Sequence, residues 1–398
     1  MSANSPSAVL EYSFLSPAKV VFGWGSRSQL AELAGGLGRR ALLLCGSRTL
    51  RDRGVIEEIR GRLASAGIAC SDLATIDHEP EVKDVDQTVA KIRELGAAEG
   101  DFLLPIGGGS VIDLGKACAA IVPNAHAPTV QDFLEGVGTG ATLRNQPLPL
   151  LAMPTTAGTG TEATKNAVIS SYTPPFKKSL RSERMVPRAV LIDPELTVSL
   201  PATTTAYTGM DAITQLIESY VSRRARPIPQ ALCVQGLEMA VPAIVRAVRD
   251  GTDRVAREQM AHAALLSGMA LANSGLGLAH GVAAALGVHC RVAHGLACAV
   301  MLPVAMHVNR VVAGAQFARL APVITGRSWP NAEAAVEACI HRIREMCRDV
   351  GIPQSLSEIG VSRQQLPALV ASARGNSMSG NPRALSDEEL LDLLESLM

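Results

Sequence analysis

Two histidines and one carboxylate in the later half of the chain have the residue types that hold a divalent metal. His280 and His294 bound the stretch HGVAAALGVHCRVAH, and Asp211 lies upstream in GMDAITQLIESY. Imidazole nitrogens with a carboxylate oxygen suit a borderline first-row ion, Fe2+ or Zn2+, and a coordination position left open makes such a site catalytic. Asp211 and Gln215 are four apart, which places them on one helix face. His280 and His294 flank Gly287, where a turn would let two successive helical segments aim at one point. His262 reads as an ordinary helix residue, and His78, His126, His307 and His341 have no motif around them.

The upstream half reads as the frame that brings a nucleotide to this cluster. Residues 18–23, AKVVFG, form a strand ending at Gly23 and Gly25, followed by a helix over 26–37 with Ser26 or Ser28 as its N-cap. ALLLC at 41–45 is a short continuous apolar run, the mark of a strand buried on both faces of a parallel sheet. A loop over 46–54, a helix over 55–66, a strand over 68–74 and a helix over 82–95 follow. The strand DFLLPI at 101–106 runs straight into Gly107-Gly108-Gly109-Ser110 and a helix over 111–120. This alternation predicts a Rossmann-like α/β domain. Glycines let the backbone approach a ligand closely, and the helix that follows turns unpaired N–H groups toward a phosphate. The turn is not the G-x-G-x-x-G fingerprint, and a merely tight connection accounts for it equally well.

A short strand at 149–153 leads into PTTAGTGTEAT, a hydroxyl- and amide-rich loop suited to hydrogen-bonding a cofactor. Lys177 and Lys178 fall in a polar segment before a strand at 189–192. Beyond Leu200 strand-like runs give way to Ala-rich helical patterns. The boundary therefore falls near 198–201, with an α/β nucleotide-binding domain over 1–198 and an all-helical metal and substrate domain over 199–398.

Bulk properties agree with a well-buried two-domain protein. Of 398 residues, 47% are hydrophobic and 19% charged, which is not the composition of a disordered chain. The net charge of zero gives no electrostatic reason to expect nucleic acid or an anionic membrane as partner. No unbroken apolar run reaches the length of a membrane span, and MSANSPSAVLEYSF has neither a basic n-region nor an apolar h-region. Eight cysteines without a C-x-x-C pair point to free thiols in a reducing cytoplasm.

Six segments in order, PIGGGSVIDLGKA, MPTTAGTGTEAT, LIDPELT, GMDAITQLIESYVS, LAHGVAAALGVHCRVAHG and NPRAL, resemble the iron-containing, group III alcohol dehydrogenases, whose fold is shared with dehydroquinate synthase and glycerol dehydrogenase. The resemblance spans nearly the whole chain. It implies a dehydroquinate synthase-like fold with the active site in the cleft between the domains. It implies NAD(P) held by Gly46, Ser47, Gly107, Gly108, Gly109, Ser110, Thr155, Thr156, Thr159, Asn166, Lys177, Lys178 and Leu196. The metal would sit on Asp211, Gln215, His280 and His294, three of which match the aspartate and histidines of the family. The resemblance also implies a homodimer and a small alcohol or aldehyde as substrate.

Two departures stand out. Gln215 occupies a position that is histidine in the family, which leaves three arrangements open: ligation through its carbonyl oxygen, a place behind a bridging water, or a weakened or lost metal site. Ala284 stands where many relatives have another histidine near the nicotinamide, and His289 is the nearby imidazole that could stand in. Gly46-Ser47-Arg48 at the end of the second strand carries a cation and no carboxylate, which favours NADP over NAD. Arg291 is either a surface residue or a contact for an acidic substrate. The expected reaction is reversible hydride transfer between NAD(P)H and an aldehyde or ketone, with the metal polarising the substrate oxygen. Three alternatives are a metal-independent reductase of the maleylacetate type, disfavoured by the retained Asp211, a lyase or cyclase on the same fold, disfavoured by TTAGTGTE, and a binding protein that has lost catalysis.

Overall fold

A computed structural model describes residues 11–46 and 48–398. The first half is built from β1 (Lys19–Phe22), α1 (Leu30–Gly35), β2 (Arg40–Cys45), α2 (Arg48–Asp52), α3 (Val55–Ser65), β3 (Ala69–Thr75), α4 (Val82–Glu94), β4 (Asp101–Gly107), α5 (Gly109–Ile121), β5 (Leu151–Pro154), β6 (Asn166–Tyr172), β7 (Pro175–Arg181) and β8 (Ala189–Ile192). Among the described residues, six strands form one parallel sheet in the order β1-β8-β5-β4-β2-β3. The apolar runs at β2 and β4 are there because both faces are covered: Leu42, Leu44 and Leu103 pack into one layer, Leu43, Phe102 and Leu104 into the other. From β2 the chain moves to β3 on one side, and from β4 to β5 on the other. The reversal between β2 and β4 is the point where doubly wound sheets open a ligand crevice at the carboxyl ends of their strands.

The second half is helical: α6 (Ala202–Val221), α7 (Pro227–Arg249), α8 (Arg254–Ser274), α9 (Leu278–Cys290), α10 (His294–Thr325, kinked at Ala313), α11 (Ala332–Asp349), α12 (Leu366–Ser372) and α13 (Asp387–Glu395). Their apolar faces share one core, including Ile213, Leu216, Ile244, Leu286, Met301 and Phe317. Among the described residues, α7 and α10 are long and apolar enough to cross a membrane by length and composition. In this fold their buried residues pack into that helical core, which accounts for the composition.

Several local expectations are corrected. The helix expected over 26–37 starts as a 3-10 turn, Ser26–Gln29, with no serine cap. The Ser26 hydroxyl donates to Ile192 O instead, and the free amides of Gly25 and Arg27 go to the Asp193 carboxylate. The loop expected over 46–54 contains α2. The polar segment holding Lys177 and Lys178 is strand β7, paired antiparallel with β6, with Ile169 opposite Lys178. Gly287 is helical, and the break between the two histidine-bearing helices comes later, where Arg291 takes a left-handed φ of 56°.

Candidate active site

One cleft of about 940 Å³ runs between the sheet's carboxyl edge and the helical half. Its nucleotide end is the strand reversal. Gly46 and Gly107 meet almost backbone to backbone, so a Cβ on Gly107 would lie 3.1 Å from the Gly46 Cα and 2.6 Å from a Val111 methyl. Gly108 is the N-cap of the thirteen-residue α5, whose first amides face the cleft. The threonine-rich loop closes over this turn. Thr155 N–H donates to Gly107 O at 2.9 Å, and a Cβ on Gly109 would come within 2.7 Å of the Thr159 side chain. Gly46, Gly107, Gly108, Gly109, Ser110, Thr155, Thr156, Thr159, Asn166, Lys177, Lys178 and Leu196 all line the cleft. Ser47 lies outside the described residues.

The other end of the cleft is a cluster of metal-ligand types. Asp211 comes from the middle of α6, His280 from the first turn of α9, and His294 and Cys298 from the first two turns of α10. One donor atom from each of these four side chains lies within 4.8 Å of all the others. His280 is gripped at both nitrogens, by Asp211 Oδ1 on Nε2 at 3.1 Å and by Glu218 Oε2 on Nδ1 at 2.7 Å. A carboxylate on the far nitrogen fixes the ring and its tautomer, the arrangement that metal-bound histidines use. Glu218 is itself held by the N–H groups of Gly277 and Ala279 at the start of α9.

Burial works against the Asp211 charge, but the His280 hydrogen bond and the neighbouring imidazoles hold its carboxyl below the usual range. Burial likewise opposes a charged His280, yet Cys298, Asp211 and Glu218 raise it well above an ordinary imidazole. His294 goes the other way, down to about 4, through burial and the Lys177 charge. Its neutral ring has a lone pair to give. The donor set fits a divalent ion.

Gln215 takes a definite orientation. Its Nε2 donates to Thr159 O at 3.2 Å and Asp211 Oδ1 at 3.3 Å, while its Oε1 accepts from the Ser267 hydroxyl at 2.6 Å. Both partners of the nitrogen can only accept, so the amide cannot be reversed without losing them. The oxygen, its one atom able to ligate, faces Ser267, whose hydroxyl also lies 2.8 Å from Ala264 O. His289 does not line the cleft; its Nε2 pairs with Ser372 Oγ at 2.7 Å. Arg291 is exposed and stacks 3.9 Å from the Tyr172 ring centre.

Comparison with known proteins places this geometry. Residues 17–194 match the family described as iron-containing alcohol dehydrogenase, and residues 205–398 match the Fe-containing alcohol dehydrogenase family, C-terminal. The chain belongs to the iron-containing alcohol dehydrogenase family. It is 32% identical over 387 residues to an NADPH-dependent butanol dehydrogenase of Clostridium saccharobutylicum, covering 96% of this chain and 97% of that one. A lactaldehyde reductase of Escherichia coli K12 is 32% identical over 375 residues, 94% of this chain and 96% of the other. A crystal structure of a 1,3-propanediol oxidoreductase superposes with a TM-score of 0.89 at 30% identity, covering 98% of this chain and all of that one. As an iron-containing alcohol dehydrogenase, the chain is a metal-dependent, NAD(P)-linked oxidoreductase acting on the CH–OH group.

Several residues behind or beside the cleft escape the sequence of this family member. Glu218 is seven after Asp211, two turns along the same helix, and Cys298 is four after His294; both spacings were available. Glu79 was not readable, because it reaches Lys177 (2.6 Å) only through the pairing of distant strands. Under the cleft, Lys116 donates to Thr161 O at 2.9 Å and Thr164 Oγ1 at 2.7 Å, and Thr161 donates to Asp113 at 2.5 Å. Burial brings the Lys116 amine down to about 8 and the nearby Glu162 carboxyl up to about 7.

Proposed function

We propose that this enzyme interconverts an aldehyde or ketone and its alcohol with NADP(H), using Zn2+ or Fe2+ held by Asp211, His280 and His294. One observation carries the reading: a single cleft has the glycine turn and threonine loop at one end and the donor cluster at the other. Bound there, the ion supplies Lewis-acid polarisation of the substrate oxygen and the reduced nicotinamide supplies hydride. The protein's own part is positioning. The glycine turn admits the pyrophosphate, Thr159 ties that loop to Gln215, and Glu218 fixes the His280 ring. Ala284 lines the wall one turn after His280, where a small side chain leaves room for the body of the substrate.

The NADP preference is supported by Arg48, exposed as the first residue of α2 just past β2, and by the absence of a carboxylate between that strand and Arg48. A second reading has its own observation: Asp77, just past β3, lines the same rim and could take a ribose hydroxyl, which would favour NAD. kcat/KM with each cofactor across an aldehyde panel separates them. We expect NADPH to win by roughly tenfold or more, about 1.4 kcal/mol; a strong NADH preference transfers the role to Asp77. Full turnover by a chelated, metal-free preparation would overturn the metal's role. We also assign the protein to the cytoplasm as a homodimer. Supporting the dimer, β1 is an edge strand whose Val20 and Phe22 are each 37% exposed.

A further inference from the structure

We propose that Cys298 supplies a thiolate as the fourth protein ligand to the ion, in place of the donor that Gln215 does not offer. The proposal rests on the metal-dependent reading above and adds a residue to it. In a tetrahedral site with nitrogen and oxygen donors at about 2.0–2.1 Å and sulfur at about 2.3 Å, donors stand about 3.3 Å apart for an N/O pair and about 3.6 Å for an N/S pair. The observed separations are 3.1 Å from His280 Nε2 to Asp211 Oδ1 and 3.7 Å from His294 Nε2 to Cys298 Sγ. All four donor atoms fall within 4.8 Å of one another, so the four side chains converge on one point.

Other buried cysteines show what an inert thiol does in this fold. Cys339 directs its sulfur to Phe317 O at 3.5 Å and Cys347 to Ala299 O at 3.7 Å, both inside the helical core. Cys298 instead faces two imidazoles and a carboxylate, because α10 turns His294 and Cys298 to the same side one turn apart. On binding, the S–H bond breaks, an S–metal bond forms and the proton leaves to solvent. A soft thiolate also tilts the site toward zinc over ferrous iron.

The test uses the full-length protein loaded with cobalt(II), compared with Cys298→Ser and Cys298→Ala, with NADPH binding as the check on folding. The wild type should take up one equivalent and show a near-ultraviolet sulfur-to-cobalt charge-transfer band. Both variants should lose the band while still binding nucleotide. X-ray absorption on the zinc-loaded wild type needs no substitution and should show one sulfur at about 2.3 Å. Stoichiometric metal without the band, or a first shell of nitrogen and oxygen alone, overturns the thiolate and leaves the metal-dependent reading standing. Failure of the wild type to bind any divalent ion overturns both.

Discussion

Glu218 governs the geometry of the donor cluster without belonging to it. Its carboxylate accepts from His280 Nδ1 and from main-chain amides at the start of α9, so one side chain sets both the ring and the helix that carries it. Glu218→Gln keeps the volume and removes the charge. We expect it to weaken metal affinity about 10–100-fold, the usual effect of losing such a partner. Competition against a chelating dye measures this, with NADPH binding as the folding check; unchanged affinity would show that the carboxylate only caps the helix. Asp211, His280 and His294 stand out in the sequence as candidate ligands because metal chemistry restricts ligands to few residue types, and the fold brings the three side chains together. Arg291 shows the limit of that reasoning. The sequence left it open between a surface residue and a substrate contact, and a left-handed backbone at the helix end turns it outward onto Tyr172.

At the scale of elements, the threonine-rich loop is held by a glycine-on-glycine crossing. A Cβ on Gly268 of α8 would stand 2.1 Å from Gly160 O, and Gly160 has a φ of +60° in the loop. The loop backbone therefore lies directly on the helix, which brings Thr159 O within reach of Gln215. Gly268→Ala gains helix propensity worth about 1 kcal/mol but forces loop and helix apart. We expect a net loss of about 1–3 kcal/mol, typical of overpacking, together with weaker NADPH binding. Equilibrium unfolding and a fluorescence titration would report both, and a stabilised variant with unaltered nucleotide affinity would refute the crossing's role. None of this was readable in the sequence, where a lone helical glycine looks only like a weak helix former. The buried strands were readable, since parallel strands covered on both faces must be continuous apolar runs. Hairpin β6–β7 was not, because the consecutive Lys177 and Lys178 put polar side chains on both of its faces and break that pattern.

At the scale of the whole molecule, the 3-10 turn Thr161–Ala163 packs on α5 from the sheet half and on α8 from the helical half. Ionisable side chains are buried where the halves meet, and this makes stability depend on pH. Glu162 titrates near 7 in the folded protein because of burial, against an ordinary 4.5. Between those values the folded state holds a proton that the unfolded chain has released. The stabilisation is therefore complete below 4.5 and is lost as pH rises through 7. The gap is worth ~3 kcal/mol. Lys116, lowered to about 8 from 10.5, behaves oppositely at higher pH: the folded state has shed a proton the unfolded chain keeps, so stability rises between about 8 and 10.5. Glu162→Gln isolates the first effect by mimicking the neutral acid at every pH. Its melting temperature should match the wild type near pH 5 and exceed it near pH 8, as read by calorimetry on the two proteins side by side. An equal difference at both pH values would mean that Glu162 is ionised throughout, with Lys116 as its permanent counter-ion beneath the cleft.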